Sequence, residues 1–188
     1  MKQWFRSFNL FALWLLLAAS SVTASATVAD FSGEDGYRLW LKYDLLDNAK
    51  QRAVYAKQLK SIYLDDDSDT IDVIRQELSL ALPALLGNKV TFTHKAAAAS
   101  VLIKRTSSPD KSLGDEGFSL RTEAKKIVIR ANTDIGLLYG TFHLLRLIQT
   151  EQSLAKLNIS QSPKIQLRML NHWDDLDRHT ERGFAGES

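Results

Sequence analysis

Phe118-Ser-Leu-Arg-Thr-Glu-Ala-Lys-Lys-Ile-Val-Ile-Arg130, running on into Ala131-Asn-Thr-Asp-Ile-Gly-Leu-Leu-Tyr-Gly-Thr-Phe-His-Leu-Leu-Arg-Leu-Ile148, is the stretch whose reading decides the fold. Residues 118–122 and 126–130 each alternate polar and apolar side chains at period two. They lie only a few residues apart, so they pair as a hairpin. A helix then begins near Thr133 or Asp134. Ile135, Leu138, Phe142, Leu145 and Ile148 recur at helical spacing and are expected to cover the sheet. Gly136 and Gly140 fall four apart on one side of that helix. A glycine costs roughly 1 kcal/mol in a helix interior, so the pair predicts a close backbone approach to another element.

Upstream, Ile71, Ile74, Leu78, Leu82 and Leu85 mark an amphipathic helix that starts at about Thr70 and ends at Leu86, with Gly87 as its C-cap and Pro83 in its final turn. Ser61-Ile-Tyr-Leu64, Lys89-Val-Thr-Phe-Thr-His94 and Ser100-Val-Leu-Ile-Lys104 read as strands, and the alanine tract between the last two as a helical turn. Asp47 is placed to cap a helix through Ala49, Val54, Tyr55 and Leu59, although that apolar stripe is imperfect. Residues 37–44 read as an extended entry segment. Residues 105–117, rich in Ser, Asp, Gly and Pro, read as a mobile loop. Together these elements describe a two-layer α/β sandwich of the α+β class.

Asp65, Asp66, Asp67 and Asp69 cluster before the second helix. Closely spaced carboxylates can hold calcium, but this run lacks the glycine and distal glutamate of an EF-hand loop. Its last members sit where a helix N-terminus favours negative charge, so it reads as a solvated capping loop.

Residues 1–26 have the layout of an export signal, with Lys2 and Arg6 ahead of an apolar run and Ala24-Ser-Ala26 as the cleavage site. The apolar run falls short of the roughly 20 residues that span hydrocarbon, so no stable membrane anchor is expected and the chain is placed in the periplasm or outside the cell. Without Lys2 and Arg6, 22 basic residues balance 22 acidic ones. So near-neutral a chain argues against nucleic acid as a partner. The chain has no cysteine, so neither disulfides nor thiolate chemistry is available. No phosphate-cradling Gly-rich loop, Gly-x-Ser-x-Gly elbow or His-Glu-x-x-His motif occurs, and no cofactor is expected.

Downstream, residues 149–163 form a polar connector, and Pro163 marks the start of the next domain. Lys164-Ile-Gln-Leu-Arg-Met-Leu170 alternates as a strand, and Asn171, His172, Trp173, Asp174 and Asp175 follow at its C-terminal end. His172 and His179 with Asp174, Asp175 and Asp177 do not make a metal site, because neighbouring strand residues point to opposite faces. For Trp173 the residue type alone favours a buried core aromatic.

The pattern Arg-Met-Leu-Asn-His-Trp-Asp over 168–174, with Glu-Arg-Gly-aromatic-Ala-Gly over 181–186, resembles the first barrel strand of the alpha-glucuronidases of glycoside hydrolase family 67. Gly36-Tyr-Arg-Leu-Trp-Leu-Lys-Tyr-Asp44 resembles that family's mature N-terminal signature. The two bracket residues 34–188. The resemblance implies an accessory α/β domain over 27–155, then over 156–188 a linker and the opening strand of a truncated (β/α)8 barrel, whose C-terminal face carries active sites. It implies a pocket for 4-O-methyl-glucuronic acid, with Trp173 as wall and Asn171, His172 and Asp174 as polar supports. The substrates implied are glucuronoxylan-derived oligosaccharides, cleaved with inversion. The catalytic acid and base are expected beyond Ser188, so Asp174 and Glu181 are not read as that pair and the fragment is expected to be inactive. A homodimer would form through the missing C-terminal region. Asp175 stands where the family commonly has Asn and Phe184 where it has Tyr, which puts Asp175 in doubt as a contact. Arg168, Arg178 and Arg182 read as surface or packing arginines.

The helix over 133–150 also resembles the last helix of the small domain preceding the barrel in other exo-glycosidases, so a hexosaminidase-like enzyme is the alternative within the enzyme class. A free-standing carbohydrate-binding or adaptor module is the alternative outside it.

Overall fold

The computed structural model describes residues 42–65, 67–165 and 167–169. In chain order the elements are α1 (Ala49–Gln58), β1 (Ser61–Leu64), α2 (Asp69–Leu86), β2 (Thr91–Phe92), a 3-10 turn (Ala96–Ala98), β3 (Val101–Arg105), β4 (Phe118–Glu123), β5 (Lys126–Ala131), α3 (Asp134–Gln149) and β6 (Asn158–Gln161). The strands form one sheet in the order β2-β1-β3-β5-β4-β6. β1, β2, β3 and β5 run parallel, while β4 is antiparallel to both of its neighbours. The mixed α/β class follows.

Local chemistry explains most boundaries. Ser68 caps α2 by accepting from the Ile71 N–H at 3.2 Å, with Asp69 and Asp72 in the first turn where the helix dipole favours them. Gly87 ends α2 in the left-handed region at φ +71°. α1 is capped by Asn48, not Asp47, because the Asn48 amide oxygen is the one that meets the Gln51 N–H, at 3.1 Å. Tyr55 is the buried residue of α1, and its hydroxyl donates to the Gln152 carbonyl at 2.6 Å. β4 and β5 make the expected hairpin. Its turn residues Ala124 and Lys125 both take positive φ, 47° and 67°, without the Asn or Gly that usually occupy such a turn.

Helix α3 lies on β4 and β5 and against α2. Ile62, Val101, Ile103, Leu120, Ile127 and Ile129 from the sheet share one core with Ile71, Ile74, Leu78, Leu82 and Leu85 of α2 and Leu137, Leu144, Leu145 and Ile148 of α3. The glycines set how near α3 can come. A β-carbon on Gly140 would stand 2.6 Å from Ile129 Cγ2, and one on Gly136 2.5 Å from the Gly117 carbonyl oxygen and 2.6 Å from Ala131 Cβ. The close approach read from the glycine pair is therefore present.

Five further expectations differ from the structure. The sheet-facing side of α3 is rotated by roughly a quarter turn from the apolar count. Leu137, Thr141, Leu144 and Ile148 are buried there, whereas Ile135 is 40% exposed and Phe142 only half-buried. The strand expected over 89–94 shrinks to Thr91–Phe92. The loop over 105–117 is not loose, because Asn132 clamps it: its amide oxygen accepts from Thr106 Oγ1 and the Asp110 N–H, and its amide nitrogen donates to the carbonyls of Asp110 and Gly114, all at 2.8 to 2.9 Å. The connector over 149–163 holds β6, which pairs with β4 from Phe118↔Gln161 to Arg121↔Asn158. The described residues of the expected strand 164–170, namely 164, 165 and 167–169, belong to no strand.

At the carboxyl end of β3, Arg105 donates twice to Asp134, Nε to Oδ1 and Nη2 to Oδ2, both at 2.7 Å; Ser68 Oγ donates to Oδ2 at 2.8 Å. One carboxylate thus joins the end of a strand to the N-termini of α2 and α3. The Arg105 hydrogen bonds, and then that of Ser68, hold the Asp134 carboxyl below its usual range against the opposing effect of burial.

Gly136→Ala should lower stability by about 1 to 2 kcal/mol in urea unfolding, since overpacking against an immobile carbonyl outweighs the roughly 1 kcal/mol that alanine contributes to a helix. An unchanged midpoint would show that α3 can lift from the sheet. Asp134→Asn should lose about 1 to 2 kcal/mol at pH 7, the half-exposed Arg105 moderating the loss. Because the folded carboxyl titrates below its unfolded value, this stability is fully present above about pH 4 and disappears as the pH falls through the folded value. The gap between wild type and variant should therefore close in acid; a gap that persists once the folded carboxyl is itself protonated would assign the loss to packing.

Candidate functional site

Asn171, His172, Trp173 and Asp174, the residues singled out for sugar binding, lie outside the described residues, as do Asp175, Arg178, His179, Glu181 and Arg182. The described residues form the approach to that stretch. After β6 the chain passes Ser162, whose hydroxyl donates to the Leu113 carbonyl at 2.9 Å, and Pro163. Further on, Arg168 reaches back to the sandwich. Its Nη2 donates to Glu116 Oε2 at 2.7 Å, its guanidinium carbon stands 5.9 Å from the centre of the Tyr139 ring, and Nη1 donates to the Ile165 carbonyl. Arg168 therefore packs against its own sandwich.

A cleft of about 650 Å³ opens between α3 and β6. Phe118, Tyr139, Phe142 and Pro163 supply apolar surface to it, and His143, Arg146, Glu116 and Arg168 its polar edges. The His143 ring lies 5.3 Å from that of Phe118, tilted by 51°. Burial first, then the neighbouring positive charge of Arg146, pushes the His143 imidazole below its usual range. It is therefore neutral at pH 7, with Nδ1 at 3.2 Å from Arg146 Nη2. Such a cleft offers apolar walls and hydrogen-bonding edges, while its carboxylate is already held by Arg168. Sequence reasoning passed over Tyr139, His143 and Glu116. The spacing of Tyr139 and His143, four apart along one row of α3, is the signal that would have found them.

A second cavity of about 660 Å³ lies at the carboxyl ends of β1 and β3, bordered by Tyr63, Asp65, Lys104, Arg105 and Arg130. Open α/β sheets bind ligands at that end of their parallel strands. Here Arg105 is bound to Asp134, and Arg130 donates to both oxygens of Glu123 at 2.6 and 2.8 Å. The Arg105–Asp134 pair closes this end, whereas Arg130 reaches along the sheet to Glu123, whose register partner is Lys126 at the opposite end of β5. Among the described residues no group of three or more His, Cys, Asp or Glu is placed to hold a metal ion, and no helix is long and apolar enough to cross a membrane.

The model of the glycosyl hydrolase family 67 N-terminus matches residues 39–144, and that of the family 67 middle domain matches residues 147–188. A probable alpha-glucuronidase A of Aspergillus oryzae is 29% identical over 168 residues, covering 82% of this chain and 20% of the relative. The alpha-glucuronidase A of Aspergillus tubingensis is 27% identical over 194 residues, covering 97% and 22%. The chain thus spans about one fifth of the length of these curated relatives. Among solved structures, an N-acetyl-beta-hexosaminidase of Streptomyces plicatus shares 20% identity over 57% of this chain and 22% of its own, with a TM-score of 0.46. A family GH115 4-O-methyl-alpha-glucuronidase shares 14% over 56% and 18%, with a TM-score of 0.48. The N-terminal family model alone covers more than half of the residues, and on that match the chain belongs to glycosyl hydrolase family 67.

Proposed function

We propose that this chain is the N-terminal part of an exported xylan alpha-1,2-glucuronidase, which removes terminal glucuronic or 4-O-methyl-glucuronic acid from xylo-oligosaccharides by single displacement with inversion. One observation carries the reading: the N-terminal and middle-domain matches follow one another in order along the chain, and the relatives that match over most of it are named alpha-glucuronidases.

On this reading residues 1–26 direct export, and the sandwich is scaffold. Asn171, His172, Trp173 and Asp174 form one rim of the sugar pocket at the C-terminal end of the first barrel strand. The indole of Trp173 lies against the C–H face of the sugar and its N–H is free to donate. An inverting glycosidase needs an acid and a base about 6.5 to 9.5 Å apart on opposite sides of the sugar, which barrels supply from different strands. Those groups belong to polypeptide beyond Ser188. The 188-residue chain therefore has no hydrolytic activity of its own.

Uronic acid release from aldouronic acids should be measurable for the chain expressed with its downstream polypeptide and absent for residues 1–188 alone, which should also give no saturable heat with these oligosaccharides in calorimetry. Release by the short chain would overturn the assignment of the proton-transferring groups. In the longer protein Trp173→Ala should lower kcat/KM by about 10- to 100-fold, equivalent to about 1.4 to 2.7 kcal/mol, with unfolding unchanged. Kinetics equal to wild type would remove Trp173 from the pocket.

A further inference from the structure

Lysines gather at one end of the sheet. The register starts β1, β2, β3, β5 and β6 at the same end, and the turn from β4 to β5 lies there too. Lys60 directly precedes β1, Lys89 stands two residues before β2 and Lys156 two before β6, while Lys125 and Lys126 close the hairpin and open β5. Lys57 joins them from the last turn of α1. The Thr91 N–H donates to the Lys60 carbonyl at 3.3 Å, which ties the start of β2 to that of β1. With neighbouring strands about 4.8 Å apart, the row from β2 to β6 runs about 24 Å.

Lys57, Lys60, Lys89, Lys125 and Lys156 are exposed, whereas Lys126 Nζ donates to the carbonyls of Ala96 and Ala97 at 3.1 and 2.7 Å. The negative end of the α1 dipole accounts for Lys57, but the other four exposed lysines lie outside helices. Carboxylates at this end are Asp44 and Asp47 in the lead-in to α1, Glu151, which accepts from Asn48 at 3.0 Å, and Glu123, which Arg130 holds. Among the described residues none of the five exposed lysines forms an ion pair. At the opposite end of the sheet Arg75 pairs with Asp67, Arg105 with Asp134 and Arg168 with Glu116. Cations matched by carboxylates at one end and left to water at the other give the domain a positive end that attracts anions.

We propose that this lysine row is an accessory binding site for acidic polysaccharide, with uronate groups along one polymer chain meeting successive ammonium groups. The inference rests on the reading that the whole protein acts on xylan bearing glucuronic acid, and it adds a second place at which that polymer is held. A lysine ammonium is a mobile point charge on a flexible stem, suited to carboxylates at irregular spacing. Each exposed contact is weak, so retention comes from several at once. A short aldouronic acid carries one uronate, meets one lysine at a time and is not held.

The test uses the chain with its downstream polypeptide, on surfaces of immobilised glucuronoxylan and of the same polymer after its uronate carboxyls have been reduced to alcohols. At about 20 mM salt the protein should be retained by the first surface and not by the second, and about 0.3 M salt should release it, because screening shortens the reach of exposed charges. Replacing Lys60, Lys89 and Lys156 together by Gln should raise the Kd for glucuronoxylan at least about tenfold. Replacing Lys104, Lys111 and Lys164 by Gln changes the net charge equally but lies toward the other end, and should raise it less than about twofold.

Equal effects of the two triple variants would overturn the site, since net charge alone would then explain retention. Equal retention by the carboxyl-reduced polymer would overturn the role of the uronates, and tighter binding to duplex DNA than to glucuronoxylan would overturn the assignment to polysaccharide. A protein that releases uronic acid from aldouronic acids but is not retained by the polymer would sink this inference alone. One that is retained through these lysines yet releases no uronic acid would sink the activity reading alone.

Discussion

The architecture depends on two missing side chains. α3 lies on the sheet at Gly136 and Gly140, where a single methyl group would enter the Gly117 carbonyl or the Ile129 side chain. Each glycine weakens the isolated helix by roughly 1 kcal/mol, so the helix persists because of what the closeness permits. Leu137, Leu144 and Ile148 are pressed against Leu120, Ile127 and Ile129, all at 2% exposure or less. Burying each such side chain contributes about 1.5 to 3 kcal/mol, several times the cost of one glycine. The same rotation that aims the glycines and Thr141 inward turns Tyr139, Phe142 and Arg146 outward and so creates the cleft wall to which Arg168 returns.

The family models divide the chain between residues 144 and 147, inside α3, whereas the sheet is completed only at Gln161. Without β6, strand β4 would be an edge, with a row of unpaired backbone groups and Phe118 and Leu120 beside water. Thr122 reinforces the closure, its hydroxyl donating to the Leu154 carbonyl at 2.7 Å and accepting from the Leu157 N–H at 3.1 Å. The sandwich therefore draws its last strand from the segment matched to the middle domain. Severing the chain at the model boundary would remove both the end of α3 and the strand that seals the sheet.

What was legible in the sequence followed signal strength. α2 has five large apolar residues at helical spacing, a serine cap and a terminal glycine, and was readable almost to the residue. α3 was readable as a helix but not in its rotation, because its inward stripe includes Gly136, Gly140 and Thr141, which a count of large apolar residues ignores. β6 was missed because Asn158-Ile-Ser-Gln161 contains one apolar residue and owes its structure to the open edge of β4. The Asn132 clamp is a tertiary effect of one side chain and leaves no local pattern. Asn171 to Asp174 were read as sugar-binding only through resemblance to a family, and they lie outside the described residues. Arg168 could be named but not assigned partners, since Glu116 and Tyr139 are distant in sequence.

The carboxylates of the sandwich also bear on where hydrolysis can occur. A general acid for glycoside cleavage must keep its proton near neutral pH, which requires a carboxyl pushed upward by burial or by a like charge. For three carboxyls of the sandwich the perturbations run the other way. Arg130 holds Glu123 below its usual range, Arg105 does so for Asp134, and hydrogen bonds from Ser112 do so for Asp110. Reversing any of these would mean breaking the charge-assisted hydrogen bonds that tie strand ends, helix N-termini and loops together. The stability of this domain and the protonation state of a general acid thus make opposite demands on the same side chains. Beyond β6 the guanidinium of Arg168 is likewise committed, held between the Glu116 carboxylate and the Tyr139 ring.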